Sequence, residues 1–93
     1  MTVAVISDDV IRSTTLDIII DELELDAEPA EVDPDADLID VYGADSLGLI
    51  QVLARVNKEL SIRVPRELAV DLRTVDLLVQ QIIRIRDAKD GDQ

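Results

Sequence analysis

Ser46 and the carboxylate before it, Asp45, are the side chains best placed for chemistry in this sequence. An apolar run with helical spacing follows them, so Asp45 is the expected N-cap and Ser46 the first helical residue. A hydroxyl in a first helical turn is exposed, and the free N–H groups there favour a negatively charged group attached to it. The chain has no cysteine and no histidine, which excludes serine–histidine and cysteine–histidine catalysis. We therefore expect chemistry performed on Ser46 and no catalysis by the chain.

A second set of carboxylates has half of a calcium-loop spacing. Asp33, Asp35 and Asp37 alternate as the first three ligands of such a loop do. The second half does not match, because Leu38 stands where the loop needs glycine and Ala44 where it needs glutamate. Weak, adventitious cation binding is the most that this pattern predicts, and we expect no dedicated metal site.

The composition indicates one small domain over residues 1–93 with an unusual charge distribution. Only one residue is aromatic, so the core must be aliphatic, which suits packed helices. The net charge is −12, yet residues 1–54 hold fourteen acids and one base, whereas residues 55–93 hold seven acids and eight bases. Such asymmetry is typical of a docking surface or of a solvated acidic face. A strongly acidic chain is not expected to bind nucleic acid.

Membrane association is also not expected. The uninterrupted apolar runs are only a few residues long, and the first six residues lack the basic start and the length of a secretory signal. The sequence predicts a cytoplasmic, monomeric protein.

Helical spacing predicts a first helix over about 8–24 and a second over about 46–60. Ser7 or Asp8 caps the first helix, into which Ile18 and the β-branched Thr14 and Thr15 fit less well. Gly48 weakens the second helix by roughly 1 kcal/mol relative to alanine. The inward positions are Ile11, Leu16, Ile19, Ile20 and Leu23 in the first helix and Leu49, Val52, Leu53, Val56 and Leu60 in the second.

The rest of the chain predicts a long loop, a short helix and a last helix. Residues 25–44 are the loop, and residues 38–40 within it form a turn of helix. Val32, Leu38, Ile39 and Val41 attach this loop to the core. Pro65 precedes the short helix over about 66–71, and Thr74 caps the last helix. Residues 1–6 are a tail without an assigned role, and residues 88–93 are a polar tail expected to be disordered. The fold class is all-α, a small bundle of three main helices and one short one.

Several motifs in this order resemble an acyl carrier protein over nearly the whole chain. They are Gly43-Ala44-Asp45-Ser46-Leu47 with the helix after it, Ile62-Arg63-Val64-Pro65, and the segment from Thr74-Val75 to Gln81-Ile82. The resemblance implies that Ser46 carries a 4′-phosphopantetheine arm from coenzyme A, added by a phosphopantetheinyl transferase. The arm's thiol then holds an acyl group as a thioester for acyl-loading, condensing and processing enzymes.

The resemblance also implies partner-docking residues. Asp45 is a transferase contact, and Leu47, Ile50 and Ala54 form an apolar docking line, with Gln51 beside it. Family members of fatty acid synthesis usually carry acids along the second helix and at the start of the short helix, and these acids dock on basic patches of partner enzymes. The matching positions here are neutral or basic: Gly48, Gln51, Asn57, Lys58 and Arg66.

Because charge governs steering and partner choice, these departures favour a specialised pathway over general fatty acid synthesis. A discrete carrier for polyketide, other natural-product or modified-lipid assembly fits this pattern. Two alternatives stay open: a peptidyl or aminoacyl carrier of non-ribosomal type, and an unmodified acidic helical adaptor.

Overall fold

The computed structural model describes the backbone of residues 6–91 and the side chains of residues 6–88. Within residues 6–91 the structure contains no strand, which confirms the all-α prediction. The elements are α1 (Asp8–Glu22), a one-turn 3-10 helix (Pro29–Glu31), α2 (Ser46–Leu60), a second 3-10 helix (Arg66–Leu68) and α3 (Val75–Gly91). Helix α1 packs on both α2 and α3, and the core between the three helices is aliphatic.

Helix α1 begins at the predicted cap but turns a different face inward. The Ser7 hydroxyl accepts a 3.2 Å hydrogen bond from the Val10 N–H, so Ser7 is the N-cap. The residues that α1 buries are Ile11, Thr15, Ile18 and Ile19. The prediction that placed Leu16, Ile20 and Leu23 inward was therefore only partly right, since these three are half-buried at the edge of the core. The buried face follows the helical period of three and four residues from Ile11, which brings Thr15 and Ile18 inward.

Helix α2 has the predicted bounds and the predicted buried face. Its five inward apolar positions, Leu49, Val52, Leu53, Val56 and Leu60, are all buried. The helix ends at Ser61, which adopts the left-handed conformation with φ 56° and donates its N–H to the Asn57 carbonyl at 2.9 Å.

The long loop between α1 and α2 is attached to the core, although not by all of the predicted residues. Val32 and Leu38 are buried, and the Leu38 N–H donates to the Arg73 carbonyl at 2.7 Å. Val41 was predicted to point inward, and this is wrong, because it is 61% exposed. Residues 38–42 form a helical turn, in which Tyr42 donates its N–H to the Leu38 carbonyl. Residues four apart share a face, so half-buried Tyr42 follows Leu38 inward.

The predicted short helix over 66–71 is a 3-10 turn at Arg66–Leu68 followed by further turns. Thr74 precedes α3 as predicted, and its hydroxyl accepts the Leu77 N–H at 3.1 Å. Helix α3 then continues to Gly91, so the backbone of residues 88–91 is helical, whereas the sequence predicted a disordered tail over residues 88–93. The reason is that Ala88 and Lys89 are good helix formers and nothing before Gly91 breaks the helix. Residues 92–93 lie outside the described part of the chain.

Of the predicted tail 1–6, the structure describes only Ile6. Its side chain is half-buried against the core, and its carbonyl accepts a 2.6 Å hydrogen bond from Arg86 Nη1. The same nitrogen lies 2.7 Å from Asp8 Oδ1, so Arg86 holds the start of α1 against α3. Residues 1–5 lie outside the described residues.

Candidate functional site

Ser46 is the first residue of α2 and is exposed. The Asp45 carboxylate before it caps the helix, because its Oδ1 accepts a 2.7 Å hydrogen bond from the Gly48 N–H. The Asp45 carbonyl accepts from the Leu49 N–H at 3.1 Å. Within the described residues, the N–H groups of Ser46 and Leu47 donate to no protein acceptor. The Ser46 hydroxyl therefore lies beside two free backbone donors at the positive end of a helix.

The chain reaches Ser46 through a turn that only a flexible residue accommodates easily. Gly43 has φ +73°, in the left-handed region, and donates its N–H to the Ile39 carbonyl at 3.1 Å. The next N–H, that of Ala44, donates to the Leu38 carbonyl at 3.0 Å. These bonds end the helical turn of residues 38–42 and redirect the chain into α2, which fixes Asp45 in its capping position.

Gly48 permits close packing beside the serine. The residue is buried, and a Cβ added to it would lie 2.8 Å from Leu23 Cδ2 and 3.2 Å from Asp45 Oδ1. A side chain at position 48 would therefore require the Leu23 side chain to shift. Gly48 is thus a close-packed position, although its atoms still line a small cleft beside the first turn of α2.

The structure divides the predicted docking residues between two depressions. A cleft of about 270 Å³ beside the first turn of α2 is lined by Asp45, Leu47 and Gln51, together with Leu23 and Glu24, which directly follow α1. Ile50 and Ala54 line a separate groove of about 730 Å³ between α2 and the second 3-10 helix.

The predicted docking residues differ in exposure. A further exposed apolar side chain, Val41, was not among them. Leu47 is 61% exposed, and Gln51 and Ala54 are also exposed, whereas Ile50 is half-buried. Val41, five residues before Ser46, is as exposed as Leu47. Leu38 and Tyr42 lie in the same helical turn and face inward. Val41 lies between them, so this spacing could have indicated that its side chain points outward.

The polar side of α2 contacts α1 through Arg55. Arg55 forms ion pairs with Asp21, with Glu22 at 3.0 Å and with Glu59 at 2.6 Å. The hydrogen bonds that the Arg55 guanidinium donates to Glu59, and then to Glu22 and Asp21, raise the pKa of Arg55 above its already high ordinary value. Arg55 is therefore committed to holding α2 against α1.

The alternating carboxylates of the long loop serve its backbone. Asp33 Oδ1 accepts the Asp35 N–H at 2.9 Å, and Asp37 Oδ1 accepts the N–H groups of Ile39 and Asp40 at 2.8 and 3.0 Å. Arg73 Nε lies 2.8 Å from Asp37 Oδ2. Its N–H does not point at this oxygen, so the contact is an ion pair and not a hydrogen bond. Among the described residues, no three acidic side chains converge as metal ligands do.

The described part of the chain also contains no helix that is both long and apolar enough to cross a bilayer.

Comparisons with known proteins agree with this architecture. A family model described as "Phosphopantetheine attachment site" matches residues 13–82, from within α1 into α3. The acyl carrier protein of Solidesulfovibrio magneticus is 38% identical over 72 residues, which cover 77% of each chain. The acyl carrier protein of Amoebophilus asiaticus is 32% identical over 72 residues, or 77% of this chain and 88% of that protein. A third relative, the acyl carrier protein of Bdellovibrio bacteriovorus, is 37% identical over 59 residues. The chain therefore belongs to the acyl carrier protein family, whose members are non-catalytic carriers with a covalently attached 4′-phosphopantetheine.

Proposed function

We propose that this protein is a discrete acyl carrier that holds its phosphopantetheine arm on Ser46 and serves a specialised biosynthetic pathway. The observation that supports the attachment point is the exposed Ser46 hydroxyl beside the free N–H groups of Ser46 and Leu47. A phosphodiester has the charge that such a helix start favours. The carboxylates of Asp45 and Glu24 lie nearby and repel an anion. The arm would therefore be held by its covalent bond to Ser46 and not by non-covalent binding of its phosphate.

The arm, when attached, supplies the thiol that forms the acyl thioester, which a cysteine-free chain cannot supply itself. The chain's own residues orient and present it. Asp45 and Gly43 fix the first turn of α2, and Leu47 is exposed next to the attachment point for contact with enzymes. The proposed partners are a phosphopantetheinyl transferase and acyl-loading, condensing and processing enzymes, with Asp45, Leu47, Ile50, Gln51 and Ala54 as docking residues.

Mass spectrometry tests the attachment point. The full chain is incubated with coenzyme A, magnesium and a broad-specificity transferase, and a gain of about 340 Da, the size of the phosphopantetheinyl group, is expected on the peptide that contains Ser46. Ser46→Ala should abolish the gain. Ser13→Ala, which removes an exposed hydroxyl from α1, should retain it. A gain that survives Ser46→Ala would contradict the proposal.

The specialised pathway is supported by the absence of acidic side chains among the exposed residues that α2 presents from Leu47 to Lys58. The test is to offer the arm-bearing protein to the ketosynthase and reductase of general fatty acid synthesis. Slow turnover is expected, and efficient turnover would contradict the pathway assignment. A cytoplasmic location and a monomeric state stay predictions.

The family membership removes the unmodified adaptor from the alternatives, because members carry the arm. The peptidyl or aminoacyl carrier is less favoured, since the relatives are named acyl carrier proteins. The intact mass of the protein isolated from its host distinguishes these cargoes.

A further inference from the structure

The basic side chains of this acidic protein fall into two groups. Four arginines form ion pairs with carboxylates of the same chain: Arg12, Arg55, Arg73 and Arg86. Lys58, Arg63, Arg66 and Arg84 are exposed and form no ion pair with any described residue, although acids outnumber bases by more than two to one. Arg84 lies alone on α3, whereas the other three lie at the end of α2, in the segment after it and at the start of the second 3-10 helix.

Two of these arginines line the larger groove. Its apolar part is made by half-buried Ile50 and by Leu53 and Val64, which are buried. Arg63 and Arg66 are exposed at its edge, and Glu67 is the one carboxylate among its lining residues. The groove begins at Ile50, four residues or about 6 Å along α2 from Ser46. An enzyme that acts on a group attached to Ser46 can therefore reach this groove.

The exposed face of α2 extends the same pattern. Gln51, Asn57 and Lys58 are exposed and carry no negative charge, and the next residue, Glu59, is paired with Arg55. The carboxylates of the chain lie mainly in α1 and in the loop before Ser46. Around the groove the local charge is therefore positive, within a protein whose net charge is −12.

We propose that this groove, defined by Ile50, Leu53, Arg63, Val64 and Arg66, docks an acidic patch on a partner enzyme. Carboxylates of the partner would meet Arg63 and Arg66, and an apolar side chain would cover Ile50 and Leu53. The proposal rests on the proposed function and specifies the partner's surface. For fatty acid synthesis, the family resemblance implies acids on the carrier and a basic patch on the enzyme. Here we expect basic residues on the carrier and an acidic patch on the enzyme.

A protein surface suits this groove better than a small anionic cargo. Both arginines and Asn57 are exposed, so the groove is open along its edge and could not shield a bound acyl group from water. The overall negative charge of the chain does not prevent docking of an acidic patch. At physiological ionic strength, screening acts over about 8 Å, so contacts in the groove outweigh distant carboxylates.

The test uses the full arm-bearing chain and two forms of one enzyme. The first is a general fatty acid synthase ketosynthase, and the second is the same enzyme with the basic residues of its carrier-docking patch replaced by glutamate. Dissociation constants are measured by biolayer interferometry at low and physiological salt. We expect the glutamate form to bind about tenfold more tightly, because close charge pairs in contact couple at least that strongly. The double substitution Arg63→Glu and Arg66→Glu should reverse this preference.

Arg84→Glu is the matched control. Arg84 is exposed on α3, does not line the groove and forms no ion pair with a described residue, so its substitution should leave the preference within about twofold. Circular dichroism checks that each variant remains folded. Equal affinity for both enzymes, tighter binding of the basic enzyme, no binding of either, or a preference unaffected by the double substitution would overturn the proposal. So would a dimer that the double substitution dissolves, because the groove would then hold a second copy.

The same measurement with Ser46→Ala separates the two proposals. If this variant still distinguishes the two ketosynthases although no arm attaches to the wild-type chain, the groove proposal stands and the attachment point is wrong. If the arm attaches to Ser46 but the two enzymes bind alike, the attachment point stands and the groove proposal fails.

Discussion

Gly48 and Leu23 join the first turn of α2 to the end of α1 so closely that a Cβ at position 48 would lie 2.8 Å from Leu23 Cδ2. Alanine is favoured over glycine inside a helix by about 1 kcal/mol, so Gly48→Ala would ordinarily stabilise α2. We expect it to give none of this gain, because Leu23 must move from its half-buried position. Urea denaturation measures the free energy of unfolding.

The control for this prediction is the same substitution in a Leu23→Ala background, where the contact is absent. There, Gly48→Ala should raise the free energy of unfolding by about 1 kcal/mol. A gain of that size in the wild-type background as well would show that Leu23 yields freely.

Asp45 has two separable roles, one in the helix and one proposed for partners. Its carboxylate caps α2 through the Gly48 N–H at 2.7 Å. Asp45→Ala should lower the free energy of unfolding by about 1 kcal/mol, whereas Asp45→Asn retains an acceptor and should change it little. If the negative charge contacts the transferase, both variants should lower the kcat/KM of arm attachment by about tenfold. Wild-type attachment rates for the stable Asp45→Asn variant would limit Asp45 to capping.

The main features of the fold were predictable because they depend on local signals. A capping residue followed by a regular apolar stripe gave the bounds of α2 and its buried face. The face of α1 was less predictable, since its run of isoleucines and leucines offers several stripes, and only packing against α2 and α3 selects the one through Thr15 and Ile18. Val41 faces solvent because the helical turn extends to Tyr42, two residues beyond its predicted end at residue 40. The burial of Gly48 depends instead on Leu23, a residue distant in the sequence.

The candidate site was predictable in part for the same reason. The position of Ser46 at the start of a helix follows from residues 43–49 alone. The groove does not, because Arg63 and Arg66 approach α2 only after the chain has turned back at Ser61. Which arginines are paired within the chain also depends on tertiary structure, as the contact of Arg55 with Asp21 shows.

Thr15 is the one polar side chain in the buried face of α1. It is fully buried, and its hydroxyl has no hydrogen-bond partner among the described residues. A buried hydroxyl without a partner destabilises the fold, so Thr15→Val, which keeps the branched shape, should raise the free energy of unfolding by about 1 kcal/mol. Thr14→Val is the control, since Thr14 is only half-buried, and should change it by less than about 0.5 kcal/mol. A loss of stability in Thr15→Val would indicate a partner for the hydroxyl.

Tyr42 closes the loop before the serine through its hydroxyl, which accepts the Asp33 N–H at 3.0 Å. Tyr42→Phe keeps the ring against the core and removes only this acceptor. We expect a loss of about 0.5–1 kcal/mol in the free energy of unfolding. Faster hydrogen exchange should appear at the Asp33 amide and not at the Leu38 amide, which donates to the Arg73 carbonyl. Unchanged exchange at Asp33 would contradict this role.

Asp37 should make the stability of the loop depend on pH. Hydrogen bonds from the N–H groups of Asp40 and Ile39 and the ion pair with Arg73 hold the pKa of Asp37 below its ordinary value, although partial burial opposes them. A carboxyl whose pKa is lower in the folded than in the unfolded state stabilises the fold above its unfolded pKa, which is about 4 for aspartate. This contribution is lost as the pH falls through the folded pKa.

Asp37→Asn and Asp35→Asn test this prediction as a matched pair. Each removes one negative charge from the same loop, but Asp35 is exposed and its carboxylate makes no hydrogen bond or ion pair with a described residue. At pH 7, we expect a lower Tm for Asp37→Asn than for Asp35→Asn, since asparagine can accept the two backbone N–H groups but cannot pair with Arg73. Below the folded pKa of Asp37 the two Tm values should converge, as measured by circular dichroism in dilute solution. A constant difference across this range would show that the charge of Asp37 contributes nothing to the fold.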